Sequence, residues 1–167
     1  MRTYLVVYIL VVALLMALAY IVLSFLFAQF FENRRPVFTR RSLWSMFCVA
    51  LLSIGISLFS FHIRDRELGN RFLHMLGGGL LSFYVCYRAV RDTNIVLRPF
   101  QFFVFSGLVV TALGVANEIL EFILQHFIHY LFASSVTDTW LDLSSNTIGI
   151  FVGGTLYFLY CAYQRWE

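Results

Sequence analysis

The chain has 167 residues, of which 60% are hydrophobic and only 13% are charged, and its net charge is +3. A soluble domain of this length needs a more polar surface, so the composition excludes that class and indicates one integral membrane domain over residues 1–167. All twelve basic residues are Arg and they form no long block, so nucleic acid is not an expected partner.

Five apolar segments are long enough to cross a bilayer, which takes about 20 helical residues. In chain order they cover residues 4–31, 43–62, 72–90, 100–127 and 141–163. The first is too long for the apolar core of a cleaved signal peptide, so we interpret it as a retained span. The predicted fold is an all-α, polytopic transmembrane bundle of about five spans.

The arginines at the loops predict the orientation of these spans, because cytoplasmic loops carry more basic residues. Eight arginines fall on one face of the membrane: Arg34, Arg35, Arg40, Arg41, Arg88, Arg91, Arg98 and Arg165. Four fall on the other: Arg2, Arg64, Arg66 and Arg71. The bias predicts that the N-terminus lies outside and the C-terminus inside.

Polar and small residues recur every three or four positions in three of the spans, which keeps each set on one helical face. The fourth span carries Thr111, Gly114, Glu118, Glu121 and Gln125. The fifth carries Asp138, Asp142, Ser145 or Asn146, Gly149 and Gly153, and the third carries His74, Gly78 and Ser82. Ionisable residues at membrane depth are costly, so these faces are expected to point into the bundle. The glycine run 77–79 is expected to allow close approach of a neighbouring helix.

The positions of these side chains along their spans also place them close together. His74 lies near the start of its span, Glu118 and Glu121 lie near the end of theirs, and Asp142 lies at the start of the last. In an antiparallel succession those ends share one side of the membrane. The sequence therefore predicts one cluster with Arg71 at its rim and Arg64 and Arg66 on the same side. Its members are His74, Glu118, Glu121, Gln125, Asp138, Asp142 and Asn146.

Four carboxylates in one cluster cannot all stay ionised without help. Protonation, pairing with Arg or His, and a bound divalent cation are three remedies, and all three remain open. The candidate metal ligands are Glu118, Glu121, Asp138, Asp142 and His74, a hard-to-borderline donor set. The same residues without Asp138 are the candidate acid–base groups, whereas Asp138 has an alternative role as a helix cap. The candidate substrate contacts are Arg64, Arg66, Arg71, Gln125 and Asn146.

Residues 70–154 carry a resemblance to known proteins. Its motifs are Asn70-Arg-Phe-Leu-His74-Met-Leu-Gly77, Asn117-Glu118-Ile-Leu-Glu121, and Asp138-Thr-Trp-Leu-Asp142-Leu-Ser-Ser-Asn146-Thr-Ile-Gly149. The pattern resembles the YjdF-like bacterial membrane proteins, although Asn70 stands where those commonly have Asp. It is also similar to the VanZ-like family, which is associated with resistance to teicoplanin-type antibiotics. The resemblance implies a small polytopic protein of the bacterial inner membrane.

Three functions fit these observations. The first is a cell-envelope protein that binds a lipid-linked or phosphorylated envelope molecule at the cluster. Whether it also modifies that molecule stays open. The second is a small proton- or cation-coupled transporter that uses the same carboxylates. The third is a structural subunit of a larger membrane complex or homo-oligomer, in which the cluster serves helix association alone. Membrane lipids are expected partners in each, and the sequence leaves open whether the protein is an enzyme.

Overall fold

The computed structural model describes residues 2–128 and 136–164, and these residues form helices without any strand. The helices are α1 (Arg2–Glu32), α2 (Arg40–His62), α3 (Arg66–Leu73), a π-helical segment (His74–Leu81), α4 (Ser82–Asp92), α5 (Pro99–Ile128) and α6 (Val136–Tyr163). Because α3, the π-helical segment and α4 follow one another without a break, we call them together the third rod. The described chain thus contains five helical rods, which confirms the predicted all-α bundle.

Three of the rods are long and apolar enough to cross a membrane, namely Leu5–Glu32, Arg40–His62 and Pro99–Phe127. The third rod and α6 are more polar because they carry the His, Asn and Asp residues of the predicted cluster. Most large apolar side chains of α1 and α5 face outward, as expected where the surroundings are lipid. The protein is therefore a helical membrane bundle.

Local capping explains where two of the rods begin and where two end. Thr39 caps α2 in a capping box with Ser42, and the Asp65 carboxylate caps α3 by accepting the Glu67 and Leu68 amides at 3.0 and 3.2 Å. Asn33 and Asn94 follow α1 and α4 with positive φ angles of 48° and 57°, a conformation in which Asn is favoured. The short loops therefore have local sequence causes.

A row of small side chains joins α1 to α2. The buried residues of α2 are Ser42, Ser45, Val49, Ser53, Ser57 and Ser60, again three or four residues apart. Small residues at this spacing let two helices approach closely without a large gap. Tyr20, Leu23 and Phe27 of α1 are buried in the core on that side.

The closest approach of two rods is the crossing of the π-helical segment on α6. A Cβ atom on Gly79 would collide with the backbone of Asn146 and Gly149, and one on Gly149 would collide with the backbone of Met75 and Gly79. A Cβ on Gly78 would overlap the Asn146 side chain. The expectation that the glycine run permits close approach is therefore confirmed for Gly78 and Gly79.

A second polar network lies at the far end of the third rod, roughly 25 Å from His74 at the helical rise. The fully buried Asp92 carboxylate accepts a hydrogen bond from Tyr20 at 2.9 Å and pairs with Arg88 at 3.0 Å and with Arg41 at 3.2 Å. Arg88 also donates to the Ser45 hydroxyl at 2.6 Å. Both charge and hydrogen bonding are satisfied, so the network ties α1, α2 and α4 together.

We expect Gly149→Ala to destabilise the bundle by about 1–3 kcal/mol, because its Cβ meets backbone that cannot move aside. Gly55→Ala is the matched control, since no atom lies within 4 Å of the added Cβ. It should be neutral or stabilising by up to about 1 kcal/mol, given the higher helix propensity of Ala. The free energy of unfolding in detergent, followed by circular dichroism, measures both. Equal effects of the two changes would show that the crossing is not tight.

Candidate functional site

Three ionisable side chains from three different rods meet at one end of the bundle. They are His74 of the π-helical segment, Glu118 of α5 and Asp142 of α6, and we call them the triad. Each offers one nitrogen or oxygen atom, and these three atoms lie within 4.8 Å of one another. His74 Nε2 is 3.4 Å from Asp142 Oδ2. Three of the seven side chains of the predicted cluster are thus brought together.

The Asp142 carboxylate is held in place by Asn70. The Asn70 amide nitrogen donates to Oδ1 at 3.0 Å and to Oδ2 at 3.1 Å, and Asp142 is 3% exposed. Because Asn70 lies one turn before His74 on the third rod, both residues present their side chains to the same carboxylate. Each carboxylate oxygen still has a lone pair for another partner.

Glu118 is the unusual member of the triad. It is 8% exposed, and neither of its carboxylate oxygens has a partner at hydrogen-bond distance and angle among the described residues, although the side chains of Asn117 and Thr139 lie near it. The side-chain oxygen of Asn146, which is also buried, lacks a partner of hydrogen-bond geometry too. A buried polar group without a partner carries a desolvation cost of about 1–3 kcal/mol, and more if it is charged. The site therefore holds free acceptor capacity that a proton or a cation can use.

A cavity of ≈ 320 Å³ adjoins the triad. Its walls are mainly apolar and come from α1, α2, the third rod and α5, for example Val12, Leu15 and Ile56. Its lining also includes polar residues: Tyr8, Ser53, Ser57, His74, Ser82, Asn117, Glu121 and Asn146. Asn117 donates to Glu121 Oε1 at 2.8 Å, which orients that carboxylate. The cavity therefore combines apolar walls with polar side chains.

The remaining predicted site residues are partly or fully exposed. Gln125 and Asp138 are partly exposed, each has an interaction partner, and Asp138 lies in the first turn of α6. Arg64 and Arg66 are exposed. Arg71 pairs with Glu67 of its own helix at 3.7 Å. The placement of Arg71 at the rim of the cluster stays a prediction.

The prediction that the polar face of α5 points into the bundle is wrong for one of its residues. Thr111 is exposed, so it does not face the interior of the bundle. The polar stripe of α5 drifts round the helix, because steps of 3, 4, 3 and 4 residues follow a 3.5-residue period and an α-helix has 3.6 residues per turn. Arg165, one of the arginines in the orientation count, lies outside the described residues.

Two polar residues of the site are not among the residues predicted from the sequence. Asn70 and Asn117 both lie within the sequence motifs, but neither is a candidate site residue there. Asn70 could have been found from its position four residues before His74, a spacing that puts both on one helical face. The pair of Arg88 and Asp92 shows the same four-residue spacing, which is the signal in the sequence that could have revealed the second network.

The fold and this cluster define a helical membrane protein with a buried His–carboxylate site. The chain belongs to the family described as "Predicted membrane protein (DUF2238)", whose model matches residues 3–163. No curated protein and no solved structure matches the chain.

The two triad carboxylates should respond differently to neutral substitution. Asp142→Ala leaves the Asn70 amide without its acceptor and should cost about 1–3 kcal/mol of unfolding free energy. Glu118→Gln removes a charge that has no partner while it keeps the size of the side chain, so stability should be unchanged or higher. Denaturant unfolding of the purified protein measures both values. The reverse ranking would contradict the contacts described above.

Proposed function

We propose that this chain is a bacterial inner-membrane protein of the cell envelope that binds a phosphorylated or lipid-linked amphiphile. The observation that carries the proposal is the cavity of ≈ 320 Å³, whose lining combines mainly apolar walls with polar side chains such as His74 and Glu121. Its size falls within the range of about 300–1,000 Å³ typical of small-molecule sites. An apolar chain matches the walls, and a polar headgroup matches the polar side chains.

The predicted residues have distinct roles in this proposal. Glu118, Glu121, Asp142 and His74 supply acid–base groups or cation ligands for the headgroup, and Asp138 extends the acidic surface. Gln125 and Asn146 provide hydrogen bonds. Arg64, Arg66 and Arg71 attract a phosphate to this end of the bundle, because surface arginines steer anions over longer distances. The YjdF-like and VanZ-like resemblance over residues 70–154 supports an envelope role.

The proposed orientation places the triad at the extracytoplasmic side, with the N-terminus outside. It is supported by the arginine count and by the gathering of Arg41, Arg88 and Arg91 at the opposite end of the rods.

We expect an impermeant maleimide to label Glu67→Cys in intact spheroplasts, and to label Val96→Cys only after the membrane is permeabilised. The two positions form a matched pair, since the Glu67 side chain is 82% exposed and Val96 is 94% exposed, at opposite ends of the third rod. The experiment uses a background in which Cys48, Cys86 and Cys161 are replaced by Ser. The opposite labelling pattern would reverse the orientation and move the site to the cytoplasmic side.

The binding proposal can be tested with farnesyl phosphate, using farnesol and inorganic phosphate as controls. Because the cavity offers both apolar walls and polar side chains, farnesyl phosphate should raise the melting temperature of the purified protein more than either control. Val12→Trp fills the cavity and should abolish the shift. Val11→Trp adds the same side chain at a position that is 48% exposed and outside the cavity lining, so it should keep the shift.

Other outcomes favour the remaining functions. If no probe shifts the melting temperature and the Gln and Asn variants at the triad are fully functional in the host, the structural-subunit hypothesis replaces this one. If the shift persists in Val12→Trp, the ligand does not occupy the cavity. Charge movement across proteoliposomes that depends on Glu121 would instead favour the proton- or cation-coupled transporter.

A further inference from the structure

We propose that the triad of His74, Glu118 and Asp142 binds one divalent transition-metal cation. The proposal deepens the proposed function, since it supplies a cofactor for the same site. It stands on the geometry of the triad itself, and it does not depend on which amphiphile enters the cavity.

The separations between the triad atoms suit a shared cation. Ligand atoms about 2.1 Å from a tetrahedral metal lie about 3.4 Å from one another. His74 Nε2 and Asp142 Oδ2 are 3.4 Å apart, and they do not form a hydrogen bond. The three ligand atoms all lie within 4.8 Å of one another, so small side-chain shifts would bring them to a common cation.

The buried oxygens of Glu118 also suit a cation. Both are inaccessible and lack a partner at hydrogen-bond distance and angle, although the side chains of Asn117 and Thr139 lie near them, and Glu118 is 8% exposed. Among the described residues the triad has a single ion pair, that between His74 and Asp142, and no Arg lies within ion-pair distance of either carboxylate. The charge of Arg71 acts on Asp142 only at longer range. The contrast with Asp92 is informative, because that buried carboxylate has two arginines and a Tyr hydroxyl. A divalent cation would balance the two carboxylate charges and give the Glu118 oxygens their partner.

The donor set favours a transition metal over Mg²⁺. Magnesium prefers octahedral oxygen ligands and water, whereas an imidazole nitrogen suits Zn²⁺, Fe²⁺ or Ni²⁺. Asn70 supports Asp142 from behind with two hydrogen bonds, as groups around metal ligands commonly do. Three protein ligands leave a further coordination position for a phosphate oxygen of the amphiphile.

The test is equilibrium dialysis of the chelator-treated full chain in detergent against Zn²⁺, with elemental analysis of the bound metal. We expect one Zn²⁺ per chain, retained in the presence of a large excess of Mg²⁺. Glu118→Gln and Asp142→Asn should each weaken Zn²⁺ binding at least tenfold. Glu67→Gln is the matched control on the same side of the bundle, and His126→Ala tests an exposed histidine; both should bind like the wild type.

Each failure has a separate meaning. Less than one equivalent of Zn²⁺ on the wild type, or unchanged affinity in folded Glu118→Gln and Asp142→Asn, overturns the cation site. If those variants do not fold, titration of the wild type with Co²⁺ replaces them, and visible absorption bands that saturate at one equivalent are expected. A titration without such bands overturns the proposal. Farnesyl phosphate binding without Zn²⁺ binding refutes only the cation, whereas Zn²⁺ binding without farnesyl phosphate binding refutes only the proposed ligand.

Discussion

The close crossing of the third rod on α6 is the constraint on which the rest of the structure depends. Gly79 and Gly149 put two backbones in contact, and no larger residue fits at either position without a shift. This contact brings His74 and Asn70 against Asp142. It also places Asn146 beside the cavity, where Gly78 and Gly114 leave room for its side chain. The site is therefore a direct product of backbone packing.

Two buried carboxylates, one on the third rod and one on α5, show how a membrane bundle treats ionisable groups in two ways. Asp92 is surrounded by Arg41, Arg88 and Tyr20, and removal of one partner from such a buried pair typically costs about 3–5 kcal/mol. Glu118 has no comparable partner. The first arrangement holds helices together, whereas the second keeps acceptor atoms free inside the protein. The presence or absence of ion-pair partners thus distinguishes a structural network from a candidate binding site more clearly than the types of residue do.

Much of the fold followed from the sequence because apolar length and helical spacing are directly readable. The five rods and the approach of His74, Glu118 and Asp142 follow from segment lengths and from steps of three and four residues. The helical position of Asn70 was harder to predict, because α3 begins before the apolar stretch and its polar residues resemble those of a loop. The π-helical segment has no residue signature of its own, and the serine row of α2 is hidden among apolar neighbours. The identity of the ligand could not be predicted, because a cavity defines the size and polarity of its ligand rather than one molecule.

The π-helical segment has a consequence for how this rod can change length. Its hydrogen bonds span five residues instead of four, so it accommodates extra chain compared with a regular α-helix. Deleting one residue from the run Gly77–Gly79 would let the segment relax toward α-helical geometry. Because the wider turns of the π-helical segment absorb extra chain, the rod before the deletion would turn relative to α4 by much less than the roughly 100° caused by a deletion from a regular α-helix. Asn70 would stay near Asp142, and the Arg88–Asp92 pair would stay in place. The π-helical segment thus protects the rotational phase between the two halves of the rod against the loss of one residue.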